Sequence, residues 1–391
     1  MIINKIAHLT DIHIYKSTLR HKEYREVFNN LYKKLKNDNP ERICIVGDLF
    51  NDYHKLEGEL LILASEFLNN LSAISKVIIT RGNHDIARHA PNRTDAIEAL
   101  VKTMNNPNII YYNETGMFDD ENIVWCVWKH GEKRNNPWPK DFVKDSNKTY
   151  IDLFHDPING AITPDGFVKN SNTYRSPKNF LGDLSFYGDY HVLQYLSTDK
   201  TKAYSGSLIE QTYAEGDNQF HGYLLWDVAT RTAKEVPVEN DYGFYTLDIN
   251  RFTDFDNLNL SINNPVKFKK IRIKWKTLPA VKNLENIRKI DKYLEEKYKP
   301  ISVRHYSDFI EENKIEIQEQ SNIKNISNRE VLHTIINEYL TKIGVKEETI
   351  KDVINLDIEI ENRLELESVT NIQWSIVKLI GKNFRSYEDI E

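Results

Sequence analysis

Lys76-Val-Ile-Ile-Thr-Arg-Gly-Asn-His-Asp85 is the stretch on which the fold turns. Val77, Ile78, Ile79 and Thr80 suit a buried strand, Gly82 breaks it, and a helical pattern resumes near residues 94–104. Between strand and helix stand Asn83, His84 and Asp85, side chains that bind ions and protons rather than fill a core. The same unit occurs twice upstream. Ile2–Leu9 reads as a strand, Asp11-Ile-His13 as its loop and Tyr24–Leu35 as a helix; Arg42–Val46, Gly47-Asp-Leu-Phe50 and Leu56–Leu71 repeat the order. Further strands are expected at 109–112, 123–128, 150–154, 186–187, 202–204 and 222–226. Strands that alternate with helices and then become mostly β predict an α/β (α+β) sandwich with helices outside.

Two more loops carry the same residue types: His155 follows Ile151-Asp-Leu-Phe154, and Gly188-Asp-Tyr-His191 follows Phe186-Tyr187. In sheets of this kind ligands gather beyond the carboxyl ends of the strands, so five such loops converge on one place. Asp, His and Asn offer oxygen and imidazole donors, which suit Mn²⁺, Fe²⁺ or Zn²⁺. Any one of these residues alone is more simply a loop cap; the set in register points to a metal site.

The motifs D-x-H, G-D, G-N-H-D, H and G-D-x-H resemble those of the calcineurin-like metallophosphoesterase superfamily, over about residues 5–230. The resemblance implies one metal held by Asp11, His13, Asp48 and His191, and a second held by Asp48, Asn83, His155 and Asp189. It makes His84 the catalytic acid, oriented by Asp85. Asp189 stands where many relatives carry His, and Asn51 where some carry an orienting His, with His54 nearby.

Four features resemble SbcD-type DNA break-repair nucleases more specifically: Tyr150–Gly160; Ala203–Glu215 with His221–Leu225; a small module and helices after the core; and the end of the chain. That resemblance implies a β-sandwich nuclease domain at 1–235, a DNA-capping α/β domain at 236–312, and an ATPase-docking loop and helical segment at 313–371. The tail at 372–391 resembles the opening strands of an SbcC-type ATPase, as at the junction of a fused protein, although a C-terminal strand reads equally from it. No phosphate-binding G-x-x-x-x-G-K-[ST] loop is present in the sequence. The implied activity is exonuclease and endonuclease cleavage of DNA with two divalent ions, manganese first, by a homodimer partnered with that ATPase.

Within 266–276 most of the basic residues fall on one face of an expected strand, and Lys267, Lys269, Arg272 and Lys274 are the candidate DNA contacts. Contact with a DNA backbone and a lysine-protected edge strand both account for that pattern. A net charge of −6 excludes a protein coated in basic residues but not a basic patch. Cys44 and Cys126 lie in apolar strand runs, as thiols of a reducing compartment do. With no apolar run of the ~18 residues that span a membrane, the cytoplasm is the expected location. A phosphatase or phosphodiesterase for small nucleotides or phosphoproteins, and a non-catalytic scaffold, are the competing functions.

Overall fold

The computed structural model describes residues 2–87, 93–131, 136–163, 166–215, 220–249, 270–277, 284–306, 347–365, 381–384 and 387–390, with a few single positions between 333 and 345. Met1–Asp308 form one compact unit and Phe309–Glu391 a second.

The first unit opens with the strand–helix repeat expected from the sequence. Strand β1 (Lys5–Leu9) leads to helix α1 (Thr18–Asp38), β2 (Arg42–Val46) to α2 (Gly58–Ser72), and β3 (Lys76–Thr80) to α3 (Ala96–Met104), followed by β4 (Ile109–Tyr111). These four strands pair in parallel in chain order. Next come β5 (Gly116–Asp120), β6 (Ile123–Trp128), β7 (Thr149–His155), β8 (Leu184–Gly188), β9 (Gln194–Tyr195) and β10 (Lys202–Tyr204), which build a second sheet in the order β5-β6-β7-β8-β10-β9. The chain then returns to the first sheet. Strand β11 (Gly222–Asp227) pairs antiparallel with β1, and β12 (Thr232–Pro237) closes that sheet at its edge.

Strand alternation explains the layering. Ile43 and Ile45 join the aliphatic core under the helices, with Leu31, Leu63 and Phe67. Cys44 and Val46, one position out of phase, face the other sheet and meet Trp125, Val127, Ile151 and Phe186. In β6 the remaining residues Val124, Cys126 and Trp128 turn to the far side, where Trp138, Tyr150, Phe154 and Phe180 cover them. The result is a pair of six-stranded mixed sheets face to face, with helices outside the first. Both cysteines are buried and free.

A smaller three-stranded sheet follows: β13 (Tyr242–Ile249), β14 (Lys270–Thr277) and β15 (Ser302–Tyr306), all parallel, with α4 (Leu284–Tyr298) between the last two. Leu247, Ile273, Trp275, Ile290 and Leu294 form its core. In the second unit, α5 (Glu347–Glu365) and the antiparallel pair β16 (Gly381–Phe384) and β17 (Tyr387–Ile390) are described. The helix expected at 329–343 lies almost wholly outside the described residues. Among the described residues no helix is long and apolar enough to cross a membrane.

Candidate metal centre

The five loops meet. Asp11 and His13 follow β1, Asp48 follows β2, Asn83 and His84 follow β3, His155 ends β7, and Asp189 and His191 follow β8. Their approach depends on glycine. A Cβ on Gly82 would sit 2.6 Å from His155 Nε2 and collide with the Asp48 carboxylate, so the β3 loop passes only because that position is bare. Asp11, His13, Asp48 and Asp189 all hold positive φ, at 51°, 47°, 52° and 103°. Such backbone is uncommon outside glycine and clusters at functional sites.

The donors form three overlapping trios: Asp11, His13 and His191; Asp11, Asp48 and His155; and His13, Asp48 and His84. Asp48 Oδ2 lies 3.3 Å from His155 Nε2 and 3.5 Å from His13 Nε2. His155 Nε2 is also 3.2 Å from Asn83 Oδ1, which adds the amide to that side. Asp189 joins through its backbone, its N–H donating to Asp11 Oδ2 at 3.1 Å.

Two observations test whether these residues fit cations. His13 Nε2 and His191 Nε2 face each other at 3.0 Å, where two imidazole lone pairs repel unless a proton or a cation stands between them. Asp11 Oδ1 is buried with no hydrogen-bond partner, a costly state for a carboxylate oxygen that coordination removes. The donor set fits divalent cations on both counts.

Electrostatics agree. Burial alone would raise the Asp48 carboxyl, but the His155, His13 and His84 imidazoles hold it well below the usual carboxylate range. Burial would lower His155, and Asp48 instead lifts it well above the ordinary imidazole value. Burial, aided by the Asp11 and Asp48 charges, pushes Asp189 up to about 7 despite the opposing pull of His155.

Three of the imidazoles around the centre are fixed from behind. His155 Nδ1 contacts the Val46 carbonyl at 2.6 Å, His84 Nδ1 the Asn51 carbonyl at 2.6 Å, and His191 Nδ1 the Glu215 carboxylate at 2.8 Å. The expectation assigned the orientation of His84 to Asp85. The structure places the Asp85 carboxylate elsewhere: it accepts from the backbone N–H groups of Asp48, Phe50 and Gly82 at 2.8–3.0 Å. Asp85 thus ties the β2 loop to the β3 loop, and the backbone of Asn51 holds the His84 ring. His54 lies within a one-turn helix, Tyr53–Lys55, its backbone N–H capped by Asp52.

Sequence reasoning missed Glu215, His130 and Arg81. His130 Nδ1 lies 2.8 Å from Asp156 and 3.0 Å from the His155 carbonyl, while Arg81 donates to the His130 carbonyl at 2.8 Å. Of the four basic residues singled out near β14, Lys267 and Lys269 lie outside the described residues. Arg272 is buried and donates to Glu23 of α1 at 2.7 Å, and Lys274 is half-buried with its ammonium 5.9 Å from the Tyr213 ring.

Sandwich, converging loops and clustered donors define the class: this region has the calcineurin-like metallophosphoesterase fold, with its His and Asp donors gathered as a metal centre requires. Residues 4–193 match the family model described as calcineurin-like phosphoesterase. The "Uncharacterized protein R555" of Acanthamoeba polyphaga mimivirus is 29% identical over 414 residues, which is 98% of this chain. The chain spans 29% of the length of that relative. The crystal structure of Pseudomonas putida nuclease MPE is 18% identical over 37% of this chain and 57% of that one, with a TM-score of 0.22, a likeness too slight to carry an argument.

Proposed function

We propose that this chain hydrolyses phosphate esters by displacement at phosphorus, with two divalent cations and manganese first among them. The observation that carries this reading is the position of Asp48, within 3.5 Å of imidazoles on both sides of the centre. Asp11, His13, Asp48 and His191 would hold one ion, and Asp48, Asn83, His155 and Asp189 the other. Such a pair supplies an acidified water and neutralises charge on the attacking and leaving oxygens.

The protein's own groups do the rest. Asp11, His13, Asp48 and His155 are buried and form the floor; Asn83, His84, Asp189 and His191 are half-buried and form a rim. An ester therefore approaches from the rim side. The Asn51 carbonyl can only accept, so His84 Nδ1 carries the proton. Its Nε2 is then the atom left to deliver a proton to the departing oxygen, once the ring is charged. Small nucleotide esters and phosphoproteins are the substrates this reading requires least to explain.

DNA is a second reading, favoured by one observation beyond the SbcD-type resemblance. The three-stranded sheet carries Lys274 next to Tyr213, two residues before the Glu215 that holds His191. A cation beside an aromatic ring is the pairing that takes up phosphate backbone and bases. The ATPase partner and the homodimer belong to this reading.

The test compares manganese-dependent cleavage of end-labelled linear duplex DNA with hydrolysis of bis-p-nitrophenyl phosphate, for the wild type and His84→Ala. Ester hydrolysis that falls about 10²–10⁴-fold in the variant is the expected outcome. Loss of DNA cleavage in parallel selects the nuclease reading. Activity that persists unchanged in His84→Ala removes His84 from the chemistry.

A further inference from the structure

The segment after β10 folds back under the metal centre. The Ser207 N–H donates to the His191 carbonyl at 3.1 Å, and Thr10 bridges to Ser207 beside the β1 loop. Gly206 allows this turn: it holds φ at +75°, and a Cβ there would sit 3.0 Å from the His191 carbonyl oxygen. The segment ends in a single helical turn, Tyr213–Glu215, that buries Glu215 to 2% exposure. A carboxylate hidden to that degree has to be fully engaged.

Glu215 Oε1 accepts from His191 Nδ1 at 2.8 Å and from Thr212 Oγ1 at 3.3 Å. Oε2 accepts from the Gln211 backbone at 3.0 Å and from Ser207 Oγ at 3.4 Å. Its direction is therefore fixed by four donors, three of them in its own segment. The same segment reaches the other imidazole of the first ligand set: Gln211 Nε2 donates to the Ile12 carbonyl at 3.1 Å, next to His13. Gln211 Oε1 in turn accepts from Arg20, which pairs with Glu23, the partner of Arg272 in the small sheet.

We propose that Glu215 is the positioning residue of the first metal subsite, fixing His191 as the Nδ1–H tautomer with the Nε2 lone pair turned toward Asp11 and His13. This rests on the two-cation reading of the centre. A metal-bound imidazole is usually held through its other nitrogen, and removal of that partner weakens metal affinity by ~10–100-fold. Glu215 differs from the ligands in touching neither ion nor ester, so its loss acts on the strength of binding at one subsite and leaves Asp48, Asn83, His155 and Asp189 in place.

The experiment is titration calorimetry of the full chain with Mn²⁺ alone, together with Co²⁺ absorption spectra, for wild type, Glu215→Gln, Glu215→Ala and Asp48→Asn. We expect two binding events in the wild type. The tighter or weaker of them should lose about 10–100-fold in Glu215→Ala and less in Glu215→Gln, whose amide oxygen still accepts from Nδ1–H. The Co²⁺ spectrum should change in the same order, as one imidazole loses its fixed direction. Wild-type affinities and spectra in Glu215→Gln and Glu215→Ala overturn the proposal. Should the alanine variant fail to fold, the glutamine variant decides alone: a threefold or greater loss supports the proposal, and an unchanged affinity overturns it. A wild type that binds no Mn²⁺, like Asp48→Asn, overturns the two-cation reading itself rather than the role of Glu215.

Discussion

The two six-stranded sheets face each other across one core, yet they are backed in opposite ways. Helices α1–α3 cover the first with aliphatic side chains such as Leu31, Leu63 and Leu68. Loops cover the second, with aromatic rings gathered around one carboxylate. Asp152 accepts from both Trp128 Nε1 and Trp138 Nε1 at 2.8 Å and from the Gly182 N–H at 2.7 Å. The contrast extends to the centre. The first sheet supplies most of its buried floor, Asp11, His13 and Asp48, whereas from the second only His155 is buried and Asp189 and His191 stand at the rim. The helix-backed sheet thus gives three of the four floor groups, while the rim is shared, Asn83 and His84 coming from the first sheet and Asp189 and His191 from the second.

The largest test of this contrast is a matched pair of substitutions. Asp48→Asn should abolish Mn²⁺ binding and reduce ester hydrolysis on the order of 10³-fold, because both proposed ligand sets share that carboxylate, which lies within 3.5 Å of His13 and His155. Asp189→Asn should cost about 10–100-fold with the first subsite still filled. Equal losses in calorimetry and kinetics would erase the distinction between floor and rim.

A second test concerns stability. Asp152→Ala strands two indole N–H groups and a backbone N–H in the aromatic layer, and should destabilise the protein by about 2–4 kcal/mol in urea denaturation. Metal affinity should not move, since Asp152 lies on the far face of β7. A stability near that of the wild type would mean that the loops, unlike the helices, do not hold their sheet.

The smallest effect is expected where the sandwich meets the small sheet. Burial pushes the Glu210 carboxyl up to about 8 while it accepts from the Phe244 N–H at 3.1 Å. Its folded value exceeds its unfolded one, so its favourable contribution is full in acid and fades as pH rises through about 8. Glu210→Gln should flatten the pH dependence of Tm between about pH 5 and 8, by about 2–4 °C. A Tm profile parallel to that of the wild type would contradict this.

The sequence makes legible whatever residue type and period can encode. Strands β1–β3 stand out because their apolar runs end in glycine or polar loops, and the donors of the centre because Asp, His and Asn recur at equivalent points. Strands β5 and β12 do not stand out. Gly116-Met-Phe-Asp-Asp120 and Thr232-Ala-Lys-Glu-Val-Pro237 are edge strands with mostly exposed or half-buried residues, held by pairing rather than by an apolar rhythm. The partner of His84 is a backbone carbonyl, which has no signature in a sequence. Glu215 stands 24 residues from His191, in a turn whose residues look like ordinary loop. For Arg272 the alternation of β14 suggested a basic face, but its counter-ion Glu23 lies 249 positions away.

The left-handed backbone at Asp11, His13, Asp48 and Asp189 also limits how the centre can be redesigned. A replacement at these positions has to satisfy the torsion angles before it satisfies a cation, and asparagine, aspartate, histidine and glycine are the residues that tolerate them best. Attempts to re-tune metal preference with glutamate or cysteine there would change conformation and chemistry together. Asn83, His155 and His191, whose backbone lies outside that region, are where donor type can be varied without that constraint.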